Sequence, residues 1–136
     1  MTRFVAIGDT HLHSTDPWNG DRLAALDQII EAGRNVPSLG AWLYPGDIFD
    51  VGCPLAYGDI VAGRLQEMAD AAPVLIAYGN HDRARELDIF RKVKARWPIY
   101  VVDAPVVLDV PLTTGEHAAV FVLPYPHRMG FVSQGV

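Results

Sequence analysis

Cysteine occurs once in the chain, at Cys53. A single thiol excludes an internal disulfide and fits a reducing compartment. Long apolar runs are missing as well. The opening MTRFVAIGDT is too poor in consecutive apolar residues for a secretory leader, and no later stretch could span a bilayer. The expectation is a cytoplasmic protein with no membrane partner. Basic excess is also lacking: the formal net charge of -5 gives no electrostatic footprint of a general nucleic-acid binder. Repeats, low-complexity tracts and linkers are absent. What remains is ordinary globular composition, 50% hydrophobic and 20% charged, with room for one domain over residues 1–136.

Strands and helices alternate through the first two-thirds. Residues 4–7 form an apolar run closed by Gly8, which predicts a buried strand. Asp21 is placed to cap a helix running to Gly33, with Leu23, Leu26, Ile29 and Ile30 on its inner face and the glycine as its stop. A second strand follows over 41–44, ended by Pro45-Gly46. A helix over 57–71 turns Ile60, Val61, Leu65 and Met68 inward, and Pro73 breaks it before a strand over 74–78. A short helix is expected over 84–95. Beyond Trp97-Pro98 the pattern becomes β-rich, with strands over 99–102, 106–110 and 119–123 and a turn at Thr114-Gly115. The fold class is therefore α/β, with a parallel sheet followed by a β-rich third.

Three polar clusters interrupt this pattern, GDTHLH at 8–13, GDIFD at 46–50 and GNHD at 79–82, each directly after an expected strand. Parallel strands share one carboxyl edge, where open α/β sheets bind ligands, so the clusters should meet in space. Asp9 and His11 are two residues apart, and on an extended segment their side chains share a side. A hard oxygen beside an imidazole suits manganese, iron or zinc better than a pure calcium site. Asp47 is placed to bridge two ions, and Asn80 to offer its amide oxygen to the second. Paired metals clamp a phosphoryl group and activate a water at neutral pH. His81 would then protonate the leaving oxygen, with Asp82 orienting its imidazole. Taken singly, each cluster has a simpler reading: Gly-Asp as a turn, Asn-His-Asp as a helix cap. Their order, each at a strand end, is what argues for a site.

The series D-x-H, G-D, G-N-H-D resembles the opening motifs of the calcineurin-like metallophosphoesterases. DTHL, GDIFD with the following proline and Tyr57, and VFVLPYPHR further resemble the SbcD-type DNA-repair nuclease branch. The resemblance implies an α/β sandwich, two β layers with helices outside, present here as its N-terminal portion. It implies metal-dependent phosphodiester hydrolysis, with Asp9, His11 and Asp47 on a first divalent ion and Asp47 with Asn80 on a second. Manganese leads the candidate ions, with zinc, iron or magnesium as alternatives. DNA is the implied substrate and an ATPase subunit the implied partner; a homodimer is also open. The alternatives are a cyclic-nucleotide phosphodiesterase and a non-catalytic binding domain. The family pattern continues beyond GNHD with a G-H and then an H-x-H; this sequence has no G-H and no second H-x-H beyond His11 and His13, so the second ion is expected to be short of ligands and the chain a poor catalyst.

Other residues carry weaker signals. His13 lies on the same side as His11, although relatives commonly place a glycine in a loop there. His127 is read as a surface or rim histidine, and His117 as solvated. Asp50 stands where some nuclease relatives carry a phosphate-handling histidine, or serves as a cap. Trp18, Trp42 and Trp97 are expected to pack rather than to stack bases, and Cys53 is a small packing residue. The basic stretch Arg83, Arg85, Arg91, Lys92, Lys94 and Arg96 reads as a solvated face, or as the one local patch able to follow a DNA backbone.

Overall fold

A computed structural model describes residues 1–52 and 54–126. Four parallel strands, β1 (Arg3–Ala6), β3 (Leu39–Tyr44), β5 (Val74–Ala77) and β6 (Ile99–Val102), make the main sheet in the order β1-β3-β5-β6. A two-residue strand β2 (Leu12–His13) pairs in parallel with β4 (Phe49–Val51) beyond its edge. Helices α1 (Asn19–Arg34) and α2 (Pro54–Ala71) cover one face, and the antiparallel hairpin β7 (Val106–Pro111) and β8 (His117–Val122) covers the other. The result is two β layers with helices outside.

The period of two along a strand decides which side chain meets which layer. Trp42 and Tyr44 of β3, with Val74 and Ile76 of β5, turn to the helices and join Leu26, Ile30, Leu65 and Met68. The alternate residues Ala41, Leu43 and Leu75 meet Val110, Val120 and Val122 of the hairpin. Both faces of β3 are thus covered, which is why its sequence reads as a continuous apolar run.

Several local expectations need correction. The first helix begins at Asn19, with Trp18 at the cap position and Asp21 inside its first turn. The Asn19 side chain, buried at 3% exposure, accepts from the His13 amide at 3.1 Å and donates to the His13 carbonyl, so the helix start is latched to β2. Gly33 lies inside the helix rather than stopping it. A Cβ there would stand 2.2 Å from the Trp42 ring, so the glycine lets the helix approach the indole. Leu26, Ile30 and Gly33 are buried and Leu23 packs partly buried against the same core, but Ile29 is 40% exposed, as is Ile60 of α2 at 41%. Trp18 is 64% exposed and does not join the core, whereas Trp42 is fully buried and its Nε1–H donates to the Met68 carbonyl at 2.9 Å. The short helix is a 3-10 turn over Glu86–Lys92. β6, expected with the β-rich third, belongs to the parallel sheet beside β5. Gly115 sits in the hairpin turn at φ 85°, as a left-handed position favours. Cys53 and His127 lie outside the described residues.

Filling the contact beneath Trp42 should be costly. Gly33→Ala is expected to destabilise the fold by about 2 kcal/mol, because a methyl group meets a ring held by its own hydrogen bond. Urea unfolding of the two proteins measures it, and an unchanged midpoint would contradict the packing account.

Candidate metal centre

The strand order places the three polar clusters side by side. The loops after β1, β3 and β5 carry Asp9 and His11, then Asp47, then Asn80 and His81, so the middle strand puts Asp47 between the other two. Asp47 accordingly ties the edge together through its backbone and side chain. Its carbonyl accepts from the His11 amide at 3.0 Å, and its Oδ1 accepts from the His81 amide at 2.8 Å.

Close approach requires the glycines here. Gly46 takes φ 104°, and a Cβ on it would stand 2.3 Å from the Gly79 nitrogen; one on Gly79 would stand 2.2 Å from Asp47 Oδ1. The acidic and imidazole residues are themselves strained. Asp9, His11 and Asp47 have φ of 56°, 47° and 53°, a left-handed conformation costly for residues with a Cβ. This corrects the expectation of an extended Asp9–His11 segment. The two side chains do approach, His11 Nε2 to Asp9 Oδ1 at 3.9 Å, but a left-handed turn brings them together rather than strand alternation.

One ligand atom from each of Asp9, His11 and Asp47 lies within 4.8 Å of the others. Two carboxylates and an imidazole converging at that spacing fit a divalent ion, with the carboxylates supplying the charge. Asn80 is exposed and lines, with Asp47, Pro45, Tyr78 and Tyr125, an open cleft of about 320 Å³ beside that set.

The neighbouring groups divide differently from expectation. Asp82, 1% exposed, does not orient the His81 imidazole. Its Oδ2 accepts from the amides of Asp47 and Gly79, both at 2.8 Å, which clamps the second and third loops together. Its Oδ1 is buried without a well-formed hydrogen bond among the described residues. Burial pushes this carboxyl above its usual range, with the Asp47 charge adding to the shift and the Gly79 and Asp47 amides opposing it. The imidazole finds Asp50 instead: His81 Nδ1 lies 2.9 Å from Asp50 Oδ1. The ring of His81 also meets that of His11 edge to face, with centroids 4.9 Å apart. The second aspartate of GDIFD was the available sequence signal, yet only the loop geometry distinguishes it from Asp82.

Sequence reading missed the groups that hold the first loop. Arg22 Nη1 donates to the His11 carbonyl at 2.5 Å while pairing with Asp16 at 2.8 Å. Thr10 hydrogen-bonds the Tyr44 hydroxyl. On a helix and a strand, respectively, Arg22 and Tyr44 carry no pattern that predicts this. His13 stands apart from the donor sets, its Nδ1 facing the Thr15 amide and hydroxyl at 3.3 and 3.2 Å. His117 is exposed and pairs with Asp109 across the hairpin at 3.0 Å. The basic residues from Arg83 to Arg96 are exposed, with Arg91 drawn to Asp88 at 3.0 Å.

Burial pushes the Tyr44 hydroxyl up to about 12, with the charges of Asp82 and Asp9 adding and the Thr10 hydrogen bond opposing. A tyrosine bound more tightly to its proton in the native state contributes stability fully below the unfolded value near 10. That contribution is lost as pH rises through the folded value. Alkaline unfolding should therefore steepen between about pH 10 and 12, and Tyr44→Phe should flatten the stability–pH slope in that window. Chemical denaturation across the range tests it; an unchanged slope would count against Tyr44.

A parallel sheet whose carboxyl edge gathers aspartates and histidines from three successive loops is an architecture suited to metal-assisted chemistry. The chain belongs to the calcineurin-like phosphoesterases, whose family model matches residues 2–124. No curated protein matches it. Among solved structures it is similar to the Pseudomonas putida nuclease MPE, with 21% identity and a TM-score of 0.48 over 77% of this chain. The match covers 50% of that nuclease, so the chain spans about half the length of the solved relative.

Proposed function

We propose that this chain carries a divalent-metal phosphodiesterase site of the SbcD type, acting on DNA alongside an ATPase subunit in the cytoplasm. The observation that supports it best is the convergence of Asp9, His11 and Asp47 donor atoms within 4.8 Å beside a paired His81 and Asp50. Asp9, His11 and Asp47 would hold a first ion, manganese before zinc, iron or magnesium, and Asp47 with Asn80 would face a second. When bound, such ions clamp the phosphoryl oxygens and lower the pKa of a water for attack. Asp50 accepts from His81 Nδ1–H and fixes the ring, so that Nε2 is the nitrogen free to pass a proton to the leaving oxygen.

His81→Ala should then slow manganese-dependent hydrolysis of a phosphodiester by about 100-fold or more. Because Asp47 and Asn80 are the two donors assigned to the second ion, the starting rate is expected to be low. Hydrolysis by the chain that is unaffected by His81→Ala would overturn the proton-donor role. The net charge of -5 keeps a small cyclic diester as the second reading. Steep weakening of binding with salt favours DNA, and turnover of a cyclic nucleotide favours the small diester.

A further inference from the structure

His11 belongs to two donor sets. One ligand atom from each of His11, Asp50 and His81 also lies within 4.8 Å of the others, a set that includes neither Asp9 nor Asp47. We propose that His11, Asp50 and His81 form a separate site for a borderline divalent cation such as zinc. Its occupancy excludes an ion held by Asp9, His11 and Asp47.

The donor chemistry separates the sets. Two imidazoles and one carboxylate match zinc or cobalt, whereas two carboxylates and one imidazole suit harder ions such as manganese or magnesium. Three protein ligands with an open position is also the usual composition of an accessible zinc site. The side chains of His11, Asp50 and His81 are 32%, 38% and 40% exposed, so a hydrated ion can reach all three.

The backbone that carries the two rings is held before any ion arrives. His11 is pinned on both sides of its Cα, its amide to the Asp47 carbonyl at 3.0 Å and its carbonyl to Arg22 at 2.5 Å. The His81 amide is pinned to Asp47 Oδ1 at 2.8 Å. One residue therefore sets the spacing of both imidazoles, and the centroids stand 4.9 Å apart at an interplanar angle of 84°. A simple His81–Asp50 ion pair explains the 2.9 Å contact but gives no reason for His11 to meet the same pair. Ligand preorganisation of this kind lowers the cost of binding.

Filling this site withdraws His11 from the first set and engages His81 as a ligand. On the function proposed above, zinc bound here therefore inhibits; the binding itself does not depend on that reading.

The test is a calorimetric titration of zinc, and separately of manganese, into the metal-free chain and its Asp50→Ala, His81→Ala and Asp9→Ala variants, with circular dichroism confirming the fold of each. Asp50→Ala and His81→Ala are expected to weaken zinc by about tenfold or more, and Asp9→Ala to change it by less than about threefold. In the unaltered chain, zinc should shift the imidazole NMR signals of His11 and His81 together. The proposal is overturned if folded Asp50→Ala and His81→Ala both keep zinc affinity within about threefold, or if zinc moves the His11 signals alone. Manganese reports separately on the hydrolase reading: insensitivity to Asp9→Ala would sink that reading and leave the zinc result standing.

Discussion

Asp47→Asn should weaken manganese binding by on the order of 100-fold, the largest effect on metal binding expected of a single change. Asparagine keeps the shape and can still accept the His81 amide now held by Oδ1 at 2.8 Å, so the loop geometry survives while the charge is lost. That charge is central because Asp47 sits on the middle of the three adjacent strand ends, joins Asp9 and His11 in one donor set, and is assigned to both ions of the proposed hydrolase site. Asn80→Ala should cost less for the first ion, since Asn80 faces the neighbouring cleft. Titration of manganese into the two variants decides between them. Loss of binding in Asn80→Ala with retention in Asp47→Asn would reverse the assignment.

The largest expected effect on stability lies one residue beyond His81. Asp82→Ala should destabilise the protein by about 3 kcal/mol, because it strips the acceptor from two amides at once in a buried setting. The loops carrying Asp47 and Gly79 would lose their shared clamp, so disorder at the site should accompany the loss of stability. Asp82→Asn should cost less, since one amide oxygen can still accept from both. Urea unfolding gives the energies, and hydrogen exchange at the Asp47 and Gly79 amides gives the local consequence. Equal losses for the two variants would show that the charge, rather than the acceptor geometry, holds the loops.

These roles are not interchangeable with the ones the sequence suggested. GNHD reads as a proton donor followed by the carboxylate that orients it. In the folded chain Asp82 turns inward to the Asp47 and Gly79 amides, and the carboxylate beside the His81 imidazole is Asp50, 31 positions before His81 in the sequence. Adjacent side chains on a tight turn point apart, so the neighbour in sequence is poorly placed and a residue of β4 takes the position.

The sequence by itself determined the strands of the main sheet and the meeting of the three clusters, but not the short pair β2 and β4. Apolar runs of strand length were legible at 4–7, 41–44 and 74–78, although the first, expected to be buried, forms an exposed edge strand, and the carboxyl edge of a parallel sheet is one place by construction. It also determined the hairpin, since alternation and a glycine turn are local properties. Tertiary structure alone decided the rest. The first helix runs on past Gly33 with that position buried, because Trp42 occupies the space a side chain there would need. β6 joined the parallel sheet because the edge of β5 was open to it, which periodicity cannot register. The left-handed turns at Asp9, His11 and Asp47 have no local signature either. They persist because Arg22, Tyr44 and Asp82, distant in sequence, hold the surrounding loops and offset the strain.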